Sequence, residues 1–202
     1  MPPAPSHNAL AHYVLENPWP GALLLAFVGA LLTWRALTDG RVRMLVAGSA
    51  VMVAALVLVL VAWLVTTAGE RAATVVRELV RAAERQDVAA GMALMAPDAT
   101  LSFERPENPG FGIEAIERGL ESVATVHVIE RNRVTRLRGY TVDGDTGIVQ
   151  MACWTTTSAS AGAVPSQWIM RVRRQADGSW KVARITCVSV SGRTPDARLF
   201  GS

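Results

Sequence analysis

The sequence predicts an α+β protein: two transmembrane helices, then a cone-shaped, curved antiparallel sheet packed on three helices. Three observations carry that prediction. An uncharged apolar run from Met44 to Thr67 is long enough to cross a hydrocarbon core of about 30 Å as a helix. A second apolar run, from Trp19 to Leu37, precedes it. After Gly69 the pattern becomes that of a small soluble domain, with helical spacing first and short strand-like runs separated by turns afterwards. The chain of 202 residues has room for one ordinary domain plus an appendage. It divides into a tail (1–18), a two-helix anchor (19–67), a domain (69–191) and a second tail (192–202).

The first apolar run ends in Arg35, whose long stem can reach the headgroups while Trp19 and Trp34 occupy the two interfaces. A cleaved signal peptide would need a basic leader and a small-residue processing site. The leader MPPAPSHNALAHYVLENPWP has no lysine or arginine, and residues 36–43 offer no such site, so the expectation is that the segment is retained. Arg35, Arg41 and Arg43 lie between the two runs, which by the positive-inside rule puts that loop in the cytoplasm and both termini outside. Arg71, Arg77, Arg81 and Arg85 follow the second run and pull the other way. The expected arrangement is a two-pass protein of a bacterial inner (cell) membrane with an extracytoplasmic domain.

Charge excludes little beyond a nucleic-acid role. The net +3 divides into +1 before residue 68 and +2 after it, which is too weak a basic balance for a nucleic-acid binder. Lys181 is the only lysine among twenty basic residues, a bias that looks like GC-rich coding.

In the domain, Ala72, Val75, Val76, Leu79, Val80 and Ala83 recur at three- and four-residue steps and mark an amphipathic helix. A second short helix is expected from Val88 to Met95 and a third from Gly112 to Ala124. Strands are expected at Ala99–Glu104, Val126–Tyr140, Gly147–Thr157, Gln167–Arg174 and Trp180–Val190. Asp143 and Gly144, the stretch 161–165, and Asp177 and Gly178 supply the turns of a meander. Cys153 and Cys187 fall in apolar strands that the meander separates by another strand, so two buried free thiols are expected.

This order, with particular residues in it, resembles the nuclear transport factor 2-like superfamily, which includes ketosteroid isomerases and polyketide cyclase-like proteins. The resemblance is carried by Asp87 at the end of the first domain helix, by LMAPDATLSF (94–103), by GIEAI (112–116) and by DGSWKVARI (177–185), and it covers about Arg71 to Ser191. It implies a cone enclosing a pocket, and a fold that often pairs through its sheet. In the isomerases the pocket holds a carboxylate base and hydrogen-bond donors. Here Leu79 stands where those enzymes carry a tyrosine, Phe103 where they carry the aspartate base, and Trp168 falls near their protonated aspartate. Neither Leu79 nor Phe103 can remove a proton or stabilise an enolate.

Other candidates are weaker. Glu104 lies on the opposite strand face from Phe103, and Asp98 reads as a turn cap. His127, the lone domain histidine, reads as a strand residue; with no ligand-spaced partners it makes no metal site. No metal or cofactor is expected. Arg131, Arg133, Arg136 and Arg138 form the densest basic run, suited to lipid headgroups, an acidic partner or simply a solvated strand face. Met151, Trp154, Trp168, Met170 and Trp180 could fill a core, form an interface or line a pocket. The reading is a membrane-anchored, non-catalytic assembly or binding subunit. Its expected partners are the bilayer and another protein or a second copy docked through the sheet, not nucleic acid. The rival readings are an enzyme using Glu104, His127 and Tyr140, and a carrier of a small apolar ligand.

Overall fold

The computed structural model describes residues 19–64 and 66–195, the last three of the first stretch as backbone alone. The expected tail 1–18, and residues 196–202 of the other, lie outside the described residues. The chain divides into two compact units, one ending at Thr67 with both apolar helices, the other starting at Ala68.

In the first unit, α1 (Trp19–Asp39) and α2 (Val42–Leu64) are each long and apolar enough to cross a membrane. They meet through small residues. Ala22, Gly29 and Ala36, seven apart on α1, are buried, as are Gly48 and Ala55 on α2. The helices touch at Gly48, where a Cβ would lie 2.8 Å from the Thr33 backbone nitrogen and 3.0 Å from the Gly29 carbonyl oxygen. Only glycine allows so close an approach, the means by which helices associate where solvent gives no hydrophobic drive. The large side chains, among them Leu24, Phe27, Trp34, Val46 and Leu56, point outward.

The second unit begins with α3 (Ala68–Glu84), whose apolar stripe is buried along Ala72, Val75, Val76 and Leu79. Helix α4 (Val88–Ala93) is capped by Asp87, whose carboxylate accepts the Ala90 amide at 2.9 Å. Then come β1 (Met95–Phe103), α5 (Ile113–Thr125), β2 (Ile129–Thr141), β3 (Thr146–Thr157), β4 (Val164–Arg174) and β5 (Trp180–Val190). In the last turn the Asp177 carboxylate accepts hydrogen bonds from the Ser179 hydroxyl (2.6 Å) and amide (2.9 Å), which hold it below its ordinary pKa.

The strands form one open sheet in the order β1-β5-β4-β3-β2. Four strands make the expected antiparallel meander. The fifth, β1, lies parallel to β5, so the sheet is mixed where an all-antiparallel one was expected. The chain leaves β1 at one edge, passes through α5 and enters β2 at the opposite edge; after three reversals β5 returns beside β1 in the same direction. Several boundaries also differ: α4 stops at Ala93 instead of Met95, β1 begins at Met95, ahead of the expected Ala99, β2 begins at Ile129 instead of Val126, and β4 at Val164, ahead of Gln167. Bulges between Val134 and Arg136 and within the β4–β5 pair bend the sheet.

The inner face of the sheet packs against the helices through Leu101, Val149, Met170, Val172, Val182 and Ile185. The first turn of α3 lies directly on the backbone of β2, where a Cβ at Gly139 would collide with the Gly69 carbonyl oxygen. The Gly69 amide donates to Thr141 Oγ1 at 3.0 Å and fixes that approach.

Candidate functional site

A curved sheet with helices on one side offers two places for chemistry, its inner and its outer face. The inner face is apolar where the isomerases are polar. Leu79 is 6% exposed and Phe103 9%, both within the buried core, and Trp168 packs against it. Phe111 closes on Phe103 edge-to-face, with centroids 6.0 Å apart. Met151, Met170 and Trp180 belong to the same packing.

Polar side chains lie at one end of this face, and they satisfy one another. Asn132 Nδ2 donates to Glu84 Oε1 at 2.9 Å, and Thr155 Oγ1 donates to Asn132 Oδ1 at 2.9 Å. Cys153 Sγ lies 3.1 Å from Ser166 Oγ, which accepts the Trp168 indole N–H at 2.8 Å. Cys153 and Cys187 are both buried and free, as expected. With β4 between their strands, and pairing with Ser166 and Trp168 respectively, they sit at least two strand spacings, about 9.6 Å, apart, beyond the reach of a disulfide. Burial, and secondarily the neighbouring Cys153, pushes the Cys187 thiol up to about 12. A thiol held protonated in this way is a core residue, not a nucleophile.

An open volume lies on the other side. A trough of about 1160 Å³ runs over the outer face of β1, β5, β4 and β3. Its floor includes Gln150, Ile169 and Thr186, all buried; Thr186 Oγ1 lies 2.8 Å from the buried Ser102 hydroxyl. The walls carry both signs of charge, with Asp98, Glu104 and Glu107 among Arg105, Arg171, Arg173 and Arg184. Arg173 pairs with Asp98 at 2.5 Å, and the Arg184 guanidinium donates to the Pro106 carbonyl. Asp98 is thus an ion-pair residue within a strand, not the turn cap expected of it, because β1 starts three residues ahead of it.

The other expected candidates scatter. Glu104 ends β1 in a left-handed conformation (φ 69°) and lines the trough; neither His127 nor Tyr140 does. His127, expected in a strand, lies exposed in the turn between α5 and β2 because that strand begins only at Ile129. Trp154 parts from the other tryptophans: 48% exposed, it stands on the outer face. The arginines at 131, 133, 136 and 138 are opposite Thr156, Trp154, Ala152 and Gln150, alternate residues of β3, so all four occupy the outer face. Among the described residues no group of three or more His, Cys, Asp or Glu side chains could hold a metal ion. The trough itself was missed by sequence reading, although its lining alternates along β3 and β4 as Thr146, Ile148, Gln150 and Ile169, Arg171, Arg173.

The SnoaL-like domain model matches residues 76–184, more than half of the chain. The chain belongs to the SnoaL-like domain family. Its fold is that of the nuclear transport factor 2-like superfamily, as the sequence motifs implied. A nuclear transport factor 2-like protein of Pseudomonas putida is similar in structure, with a TM-score of 0.50 at 16% identity, over 67% of this chain and 92% of that one. One from Cytophaga hutchinsonii has a TM-score of 0.47 at 15% identity, over 57% and 93%. A ketosteroid isomerase-like protein of Erwinia carotovora has 0.42 at 21% identity, over 57% and 92%. At these identities the likeness is one of fold. No curated protein matches the chain.

Proposed function

We propose that this SnoaL-like protein is a membrane-anchored, non-catalytic binding or assembly subunit, which engages a protein partner or a second copy of itself through the outer face of its sheet. The observation that carries this reading is the division of labour between the two faces. The inner face spends on packing the positions, Leu79 and Phe103, where an isomerase keeps its acid–base groups. The outer face carries the open trough, with an apolar and neutral floor and walls of mixed charge. Mixed charge around a neutral centre suits a protein surface, since complementary charges set specificity and register while the centre excludes water. The helices α1 and α2 supply the anchor.

An enzyme with an unusual site is favoured by one observation, the presence of Glu104 and Glu107 beside Arg171 and Arg184 in the trough. The two readings separate in one experiment on the full chain extracted in mild detergent. A photo-crosslinking residue placed at Arg171 is expected to trap a partner or a second copy, and one at Arg118 on α5 is not. The same preparation is expected to turn over no ketosteroid-like or polyketide-like substrate above buffer. Turnover that vanished on Glu104→Gln would reverse the assignment.

A further inference from the structure

The four arginines of β2 do not share a parity. Arg131 and Arg133 are odd-numbered, Arg136 and Arg138 even-numbered, and strict alternation in a strand would place the two pairs on opposite faces. The bulge between Val134 and Arg136 absorbs one residue and brings all four to the outer face. The result is a row about 23 Å long on the edge strand of the sheet. It lies outside the trough, whose lining includes no residue of β2. Arg131, Arg133 and Arg138 have no ion pair among the described residues, and all four side chains are exposed. Exposed Trp154 stands opposite Arg133 on the same face.

The row also has a fixed starting point along the chain. Only residues 65–67 separate the end of α2 from the start of α3, a reach of about 14 Å at full extension. Gly69, the second residue of α3, is docked on Gly139, which follows Arg138. Along the chain, the Arg138 end of the row is thus the end joined, through α3, to the short linker that follows the second apolar helix.

We propose that the β2 arginines bind the anionic headgroups of the membrane from which the chain emerges, so that the outer edge of the sheet lies along the bilayer surface. The inference rests on the membrane-anchor reading. Basic groups near an anionic surface are attracted within a Debye length, and tryptophan favours the headgroup level. A tether of three residues keeps the effective concentration of headgroups at the row high, so weak individual contacts suffice. An acidic protein could use the same charges, but nothing ties such a partner to this strand as the linker ties the bilayer.

The test uses the full chain with Glu130→Cys, at the end of β2 far from Gly139, labelled with a fluorophore. Cys153 and Cys187 are buried and stay unlabelled. The chain is placed in nanodiscs of phosphatidylcholine, with or without about one third phosphatidylglycerol, and quenched by a headgroup-linked nitroxide lipid. Quenching in the anionic discs is expected to exceed that in the neutral ones by about fivefold or more, and to fall to the neutral level in roughly 0.5 M salt. It should also fall when the four arginines are changed to glutamine, and persist when Arg77, Arg81, Arg85 and Arg118 are changed instead. The salt arm leaves all four arginines in place, so misfolding of the quadruple change cannot decide the outcome. A chain that inserts into discs but shows no headgroup dependence overturns this proposal alone and gives the row to an acidic protein. A chain that fails to insert overturns the anchor reading and this proposal with it.

Discussion

Cys187 shows what the inner face does to a titratable side chain. It is fully buried, and its thiol is pushed up to about 12 against an ordinary value of 9.0. Between those two values the unfolded chain releases the proton and the folded one keeps it. The folded state therefore binds more protons in that window, and stability must fall as pH rises through it. Below pH 9 the contribution is complete and flat. The expected result is a thermal midpoint that drops between about pH 9 and 12 more steeply in the natural chain than in Cys187→Ala. Equal slopes would mean that the thiol reaches water. The same desolvation bears on Leu79 and Phe103. A carboxylate in either place would have to be paired or neutral, and the neighbours it would meet are apolar.

At the scale of elements, the junction of α3 with the sheet is the most demanding contact in the domain. Gly139 faces backbone, the Gly69 carbonyl, which cannot rotate aside as a side chain can. Gly139→Ala must push the first turn of α3 off β2 and strain the Gly69–Thr141 hydrogen bond, at a cost of about 1 to 3 kcal/mol. Gly119→Ala in α5, where an added Cβ meets nothing within 4 Å, should be neutral or stabilising by a few tenths to about 1 kcal/mol. Urea unfolding of the two variants in one detergent compares them directly, and equal midpoints would show that α3 is not seated as described. Such packing was hidden in the sequence, where Gly139 reads only as a weak strand residue. What was legible followed from periodicity and turn chemistry: the stripe of α3, the Asp177–Gly178 turn, and both ends of β5 at Trp180 and Val190. The start of β1 was not, because Pro97 within MAPD looks like a turn. It is tolerated there because the pairing of β1 with β5 is irregular between Met95 and Thr100, so Pro97 holds no regular place in the ladder. The basic row was half legible. Composition drew attention to the arginines, but only the bulge, a feature of pairing rather than of local sequence, places them on one face.

At the scale of the whole molecule, the proposed anchor makes the side of the membrane on which the domain lies decide which partners and which leaflet it can meet. Three arginines, Arg35, Arg41 and Arg43, lie at or between the facing ends of α1 and α2, and the leader before Trp19 has none. Basic residues resist translocation, and on the anchor reading proposed above this asymmetry would hold the loop between the two helices in the cytoplasm and the domain outside. The opposing signal comes from Arg71, Arg77, Arg81 and Arg85. These belong to α3, a helix of a folded domain, and charges within long domains weigh less in orientation than those in short loops. The domain's own thiols are buried, so a membrane-impermeant maleimide finds a quiet background against which an introduced cysteine can be read. Asp39→Cys places the probe in the turn without removing any of the three arginines, and Ser160→Cys places another in the β3–β4 loop. In intact spheroplasts the cysteine at 160 is expected to react at once and the one at 39 only after the membrane is opened. The reverse order would put the domain in the cytoplasm, where the arginine row of β2 would face the inner leaflet and every search for a partner would have to move to that side.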